Sequence, residues 1–80
     1  MTLYDLANST MLQGNIELVD FDRNGEQVKR FGIEMVDDLS GELYGVADYF
    51  EDLEVKYIFP RIIDGEPWIR IEFCSEEDDA

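Results

Sequence analysis

Residues 68–74, WIRIEFC, decide how this chain folds. Apolar and polar residues alternate along this stretch, which predicts a β-strand with one face against a core. The core face would hold Ile69, Ile71 and Phe73, and the opposite face Trp68, Arg70 and Glu72. Asp64-Gly65, just upstream, is a hairpin signal because both residues tolerate positive φ. The strand before this turn is predicted over residues 54–59, where Val55, Tyr57 and Phe59 are in phase and Pro60 indicates an edge or a strand end.

A second hairpin is predicted nearer the start of the chain. Asn24-Gly25 separates two runs rich in β-formers, which predicts strands over about residues 15–22 and 27–35. In the second of these strands, Phe31, Ile33 and Met35 alternate and are expected on one side.

Two helices are predicted, one before each hairpin. The first covers about residues 3–12, with Thr2 as its cap and Asp5 three residues later. The second covers residues 40–53, capped by Ser40 or Asp38. Its inner side would carry Leu43, Val46, Ala47, Phe50 and Leu53, and its outer side Tyr44, Asp48, Glu51 and Asp52. Gly41 and Gly45 would weaken this helix by roughly 1 kcal/mol each.

These elements predict an α+β fold of order αββαββ. We expect one four-stranded antiparallel sheet with two helices on a single face, which leaves the other face partly open to solvent. The halves also match at an offset of 40 residues, from Leu3 and Leu43 to Arg30 and Arg70. This match indicates either an internal duplication or two similar helix–hairpin units. The predicted domain covers residues 1–74, and residues 75–80 are predicted to be a disordered acidic tail.

The composition is that of a folded but very acidic domain. Of 80 residues, 45% are hydrophobic, while 20 acids against 6 bases give a net charge of −14. Such a surface repels nucleic acid and anionic membranes and attracts basic partners. The single cysteine, Cys74, allows no internal disulfide, and no signal or transmembrane stretch is present, so we expect a cytoplasmic protein. The charge could also serve solubility alone.

Enzymatic chemistry finds little support in the sequence. There is no histidine for a nucleophile–base pair and no glycine-rich phosphate loop, so no enzyme activity and no cofactor are predicted. Residues 20–25, DFDRNG, match the first half of an EF-hand loop, but Phe31 stands where the loop needs a bidentate glutamate. No metal site is therefore predicted. The six bases look scattered along the chain, which disfavours direct nucleic-acid binding.

The acids are the best candidate for a binding surface. Residues 34–54 contain eight acids and no base, with Tyr44 and Tyr49 among them. Rows of carboxylates on rigid elements can imitate the phosphate rows of a duplex. The candidate partner-binding residues are Glu34, Asp37, Asp38, Glu42, Tyr44, Asp48, Tyr49, Glu51, Asp52, Glu54 and Trp68.

In size, charge and layout the chain resembles small acidic inhibitors carried by phages and mobile elements, the anti-CRISPR and anti-restriction proteins that mimic DNA. The resemblance covers the whole chain but is one of type, without a shared motif. It implies an inhibitor that binds a basic nucleic-acid-handling protein such as a CRISPR effector, in the host cytoplasm if the gene is phage-borne. Two alternatives remain: an interaction or immunity module that uses the open sheet face with Trp68, Tyr57 and Phe59, and a homodimeric accessory protein.

Overall fold

The computed structural model describes residues 1–10, 12–43, 45 and 48–75. It is an α+β protein, as predicted, with three short helices and four strands. In chain order these elements are α1 (Leu3–Ser9), β1 (Gly14–Phe21), β2 (Gln27–Val36), α2 (Leu39–Glu42), α3 (Asp48–Glu51), β3 (Val55–Ile63) and β4 (Glu66–Phe73).

The four strands form one mixed sheet in the order β2-β1-β4-β3. Both hairpins are antiparallel, but the central strands β1 and β4 are parallel, with Ile16 opposite Ile69 and Leu18 opposite Ile71. The prediction of a purely antiparallel sheet is therefore wrong. The alternation that predicts a strand reports which face is buried, and it does not specify the direction of the neighbouring strand.

The strand order also bears on the 40-residue offset between the two halves. That offset equates β1 with β3, yet β1 is central and β3 lies at an edge. Pro60 is tolerated within β3 because β3 is an edge strand. The two halves thus occupy different positions in the sheet, and the strand order does not display an internal symmetry.

The helices cover one face of the sheet. Leu3, Leu6, Leu39 and Phe50 are buried against β1 and β4 residues, and this core is completed by Ala7, Ile16, Leu18, Val36, Leu43, Ile71 and Phe73. α1 begins with the predicted capping box, in which Thr2 and Asp5 each accept the backbone N–H of the other. It ends at Ser9 rather than near residue 12.

The second predicted helix, over residues 40–53, is wrong as a continuous element. Gly45 has φ +97°, a left-handed conformation that an α-helix does not contain, and the chain forms the two four-residue helices α2 and α3 on either side of it. The predicted inner residues Val46 and Ala47 and the predicted outer residue Tyr44 lie outside the described residues.

Two irregularities move side chains from the faces that alternation predicts. Met35 has φ +54° at a register shift in β2, and it is largely exposed while Val36 takes the buried position. A shift in β3 between Val55 and Tyr57 leaves Val55 packed on the core while Tyr57 faces the other way. One extra residue in a strand reverses the faces of all that follow, so Val55 and Tyr57 are not in phase.

Residues 76–80, most of the predicted tail, lie outside the described residues. Among the helices described, none is long and apolar enough to cross a membrane.

Candidate functional site

The acidic stretch of residues 34–54 runs from β2 through both short helices to the start of β3. Glu34, Asp37, Asp48 and Asp52 are exposed, and Glu42 and Glu51 are partly buried. The helices α2 and α3 contribute their inner side chains, Leu39 and Phe50, to the core, so these helices lie on the covered face of the sheet. Glu34 follows the core-packed Ile33 in β2 and points to the opposite face. We refer to residues 34–54 as the acidic segment.

Three of the predicted binding residues in the acidic segment have partners within the fold. Asp38 caps α2 by accepting hydrogen bonds from the Ser40 N–H (3.2 Å) and hydroxyl (2.9 Å). Glu54 accepts a 2.7 Å hydrogen bond from the Met1 amine, which raises the pKa of that amine. Tyr49 donates its hydroxyl to Asp20.

Trp68 does not join the acidic segment. It lies on β4 opposite Arg61 of β3, on the face that the helices leave uncovered, which we call the open face. Tyr57 and Phe59 point to the same face, because they stand opposite Glu72 and Arg70 in the register of the β3–β4 hairpin. The structure therefore divides the predicted site residues between two sides of the molecule.

A buried carboxylate lies at the centre of the open face. The Glu17 side chain is 2% exposed, and its Oε2 accepts a 2.6 Å hydrogen bond from Arg30 Nε. Its Oε1 is 3.7 Å from Arg61 Nε and 3.8 Å from Arg70 Nη1. Within the described residues Oε1 accepts no hydrogen bond. Three of the six basic side chains thus surround one carboxylate, a cluster to which we refer as the arginine trio.

Two further side chains, Glu72 and Trp68, lie next to the arginine trio. Arg70 Nε lies 2.8 Å from Glu72 Oε2, an ion-pair distance without the alignment of a hydrogen bond. The Trp68 ring lies over Gly32, where a Cβ atom would be 3.4 Å from its six-membered ring. Since Gly32 stands opposite Glu17 in the β1–β2 register and β1 lies between β2 and β4, Trp68 reaches across β1 to β2. A Cβ atom at position 32 would be in van der Waals contact with the indole.

The arginine trio corrects the view that the bases are scattered. Arg30, Arg61 and Arg70 are far apart in the sequence and come from three strands, and the fold brings all three within 4 Å of Glu17. Sequence analysis missed Glu17, although one signal was available. A lone glutamate lies within the otherwise apolar run of residues 16–19, and a carboxylate buried in such a run needs cations or hydrogen-bond donors nearby.

A second buried carboxylate, Asp20, lies on the covered face. It is fully buried and accepts hydrogen bonds from the Tyr49 hydroxyl (2.7 Å), the Ser75 N–H (2.8 Å) and the Ser75 hydroxyl (2.7 Å). Lys29, opposite Asp20 on β2, places its Nζ 4.7 Å from the centre of the Tyr49 ring. Asp20 therefore ties the end of β4 and α3 to β1.

The EF-hand-like residues act in the turn and the core. Asp22 accepts the backbone N–H groups of Asn24 and Glu26, both at 2.9 Å, and so closes the hairpin turn. Asp20 points into the core, away from this turn. Across the described part of the chain, no group of three or more His, Cys, Asp or Glu side chains is placed to hold a metal ion.

A shallow cleft of about 390 Å³ lies at the end of the sheet, between the first hairpin turn and the start of β3. Arg23, Lys56, Tyr57 and Cys74 are among the residues that line it. The Cys74 thiol donates to the Asp22 carbonyl oxygen at 3.6 Å, so this cysteine has a structural contact.

No family model matches this chain, and searches of curated proteins and of solved structures also found no match.

Proposed function

We propose that this protein is an acidic inhibitor that binds a basic nucleic-acid-handling protein through its acidic segment, in place of nucleic acid. A CRISPR effector is the most concrete target. The proposal is supported by the separation of charge between the two sides of the molecule. Half of the basic side chains are gathered in the arginine trio on the open face, whereas the acidic segment, whose two helices lie on the covered side, contains eight acids and no base.

The separation matters because a groove built for nucleic acid presents many cations at once. Attraction across such an interface speeds the encounter and discriminates against neutral partners. Within the acidic segment, Asp48, Glu51 and Asp52 have no bond in the fold among the hydrogen bonds and ion pairs described above, whereas Asp38 and Glu54 have structural partners. Glu34, Asp37 and Glu42 have no such bond either, and we assign Asp48, Glu51 and Asp52 to partner contact because these three lie close together on α3 and directly after it.

Competition against DNA tests this proposal. A guide-loaded Cas9-type effector is incubated with labelled target duplex, and the protein is titrated in while displacement and cleavage are measured. We expect displacement at low salt that weakens as ionic strength rises, since charges on the surface are screened over about 8 Å at 0.15 M salt. The same titration against a restriction endonuclease covers the second class of target. Failure to displace DNA from either enzyme at low salt contradicts the proposal.

A matched pair of variants separates the position of the charge from its total amount. Asp48→Asn, Glu51→Gln and Asp52→Asn together remove three charges from α3 and its end. Glu26→Gln, Asp64→Asn and Glu66→Gln together remove three from the exposed hairpin ends. We expect the first triple variant to weaken displacement about tenfold or more and the second to weaken it much less. Equal loss in the two variants would mean that net charge, and not the acidic segment, is what binds.

A further inference from the structure

We propose that the open face is an interaction surface for a second copy of this chain, so that two domains associate sheet to sheet with their acidic segments on the outside. The inference goes beyond the proposed function, since it concerns the opposite side of the molecule and needs no other partner. Its basis is the composition, the charge and the extent of the open face.

The residues of the open face are those that protein interfaces favour. Tyr57, Phe59 and Trp68 lie beside Arg61 and Arg70 in the β3–β4 register. Aromatic residues and arginine dominate the binding energy at protein interfaces, whereas lysine and the acids are depleted in their centres. Tyr57 is 67% exposed and Phe59 is 39% exposed, although both are large and apolar. Exposed aromatic residues that lie together in this way are typical of interaction surfaces.

Charge decides which partner fits. The strands place three arginines and four glutamates on the open face, the glutamates being Glu17, Glu34, Glu66 and Glu72, so this face carries a net charge of −1 and the rest of the chain carries −13. A nearly neutral face gives little attraction to a strongly basic or strongly acidic partner. Two copies of this chain, each of net charge −14, repel each other least where their open faces meet. Charge therefore favours this face over the acidic segment as a site of self-association.

The open face also carries charges that can pair with opposite charges on the open face of a second copy. Glu72 lies beside Tyr57 at one end of the β3–β4 hairpin, and Arg61 lies beside Trp68 nearer the turn. A two-fold axis across the strands places Glu72 of one copy toward Arg61 of the other. Arg61 is available for such a contact, since its side chain is 39% exposed and its Nε is 3.7 Å from Glu17 without a hydrogen bond to it.

The extent of the open face suits a modest dimer. Four strands about 4.8 Å apart and roughly eight residues long at ~3.3 Å per residue span about 19 by 26 Å, or roughly 500 Å² per copy. Two copies then bury about 1,000 Å², which is near the lower limit of specific interfaces. We therefore expect a dissociation constant in the micromolar range.

Pairing through the β3 edge is a poorer way to associate. The two-residue turn at Asp64-Gly65 makes Ile63 and Glu66 a hydrogen-bonded pair, so that the backbone groups of Ile58, Pro60 and Ile62 point away from β4. Pro60 has no N–H to donate, and it interrupts this outward row in its middle. Two copies are therefore expected to contact each other through side chains of the open face and not through the free edge of β3.

Sedimentation equilibrium or light scattering tests the proposal on the full chain, from ~1 µM to ~0.1 mM protein. We expect the average mass to rise from monomer to dimer over this range. Higher salt should strengthen the dimer, because it screens the repulsion between two chains of charge −14. This is the opposite of the salt effect expected for a basic partner. A monomer at all concentrations and salts overturns the proposal, and so does a dimer that salt dissociates.

Two substitutions on β3 identify the face that is used. Tyr57 on the open face and Ile62 on the covered side are each 67% exposed. Tyr57→Glu should weaken association at least about tenfold, while Ile62→Glu, with the same added charge, should leave it unchanged. The reverse result overturns the assignment. Circular dichroism checks that each variant folds. If either glutamate variant fails to fold, the pair Tyr57→Ser and Ile62→Ser replaces it.

Trp68 provides a direct signal, since it is the single tryptophan of the chain and lies on the open face. Its fluorescence should shift to the blue as the protein is concentrated, and the shift should be absent in Tyr57→Glu. The neutralised Asp48, Glu51 and Asp52 variant should still dimerise, and the Tyr57→Glu monomer should still displace DNA. Either proposal can therefore fail without the other.

Discussion

β1 contains two buried carboxylates, on opposite faces of the sheet, and they are satisfied in different ways. Glu17 on the open face is surrounded by three guanidinium groups. Asp20 on the covered face accepts three hydrogen bonds, all from uncharged donors of Tyr49 and Ser75. The first arrangement surrounds the carboxylate with groups of opposite charge, whereas the second satisfies it with neutral donors alone. One strand thus shows two ways to bury a carboxylate in a very acidic chain.

Removal of Glu17 should have the largest effect on stability. Glu17→Ala leaves Arg70, which is mostly buried, and its two arginine neighbours without a shared anion. We expect the free energy of unfolding to fall by about 3–5 kcal/mol, the range found when one partner of a buried ion pair is removed. Urea unfolding measures this loss. Glu72→Ala is the control on the same face and should cost less, because Glu17 remains. A loss as small as that of the control would show that water, and not Glu17, satisfies the arginines.

Asp20→Asn should have an intermediate effect. The substitution keeps the shape of the side chain but replaces one acceptor oxygen with a donor, which then faces the donors of Tyr49 or Ser75. We expect a loss of about 1–3 kcal/mol, the cost of a buried polar group left unsatisfied.

A double-mutant cycle with Tyr49→Phe examines this contact further. Because the Tyr49 hydroxyl donates to Asp20, the second substitution should cost less in the Asp20→Asn protein than in the wild type. Full additivity would mean that this hydrogen bond contributes nothing to stability.

Asp5 extends the comparison to an exposed carboxylate and should show the smallest effect. The Thr2 backbone N–H, followed by the Thr2 side chain, lowers the pKa of Asp5 below its ordinary value of 3.8. A carboxylate with a lowered pKa in the folded state stabilises the protein above pH 3.8, and this contribution is lost as the pH falls through the folded-state pKa. Stability should therefore depend less steeply on pH below pH 4 in Asp5→Asn than in the wild type. Parallel curves for the two proteins would contradict the capping-box hydrogen bond.

Local signals in the sequence predicted local structure well. Thr2 and Asp5 define the start of α1, the Asn-Gly and Asp-Gly pairs define the two hairpins, and the alternation in residues 68–73 places Trp68, Arg70 and Glu72 on the open face. Each of these features depends on residues close together in the chain, whose steric preferences act within a few positions.

Features that depend on distant residues were not predictable in the same way. The parallel pairing of β1 with β4 joins the two hairpins through tertiary packing, and no local pattern specifies it. Arg30, Arg61 and Arg70 look scattered until that pairing brings β4 beside β1. Gly45 appeared to be a small helix penalty, but its positive φ ends the helix outright. The register shift at Met35 was likewise not predicted, because alternation assumes a regular strand.

The position of β4 has a consequence for how the chain is made. β4 is the last strand in the sequence, yet it occupies the middle of the sheet beside β1. During synthesis, β1 therefore has an unpaired edge until β4 has left the ribosome, and pairing must then close a long loop. Until then Glu17 lacks its contacts with Arg61 and Arg70. A nascent chain interrupted before residue 66 lacks β4 and has the Glu17 carboxylate only partly paired, so the sheet is completed only after β4 has been made.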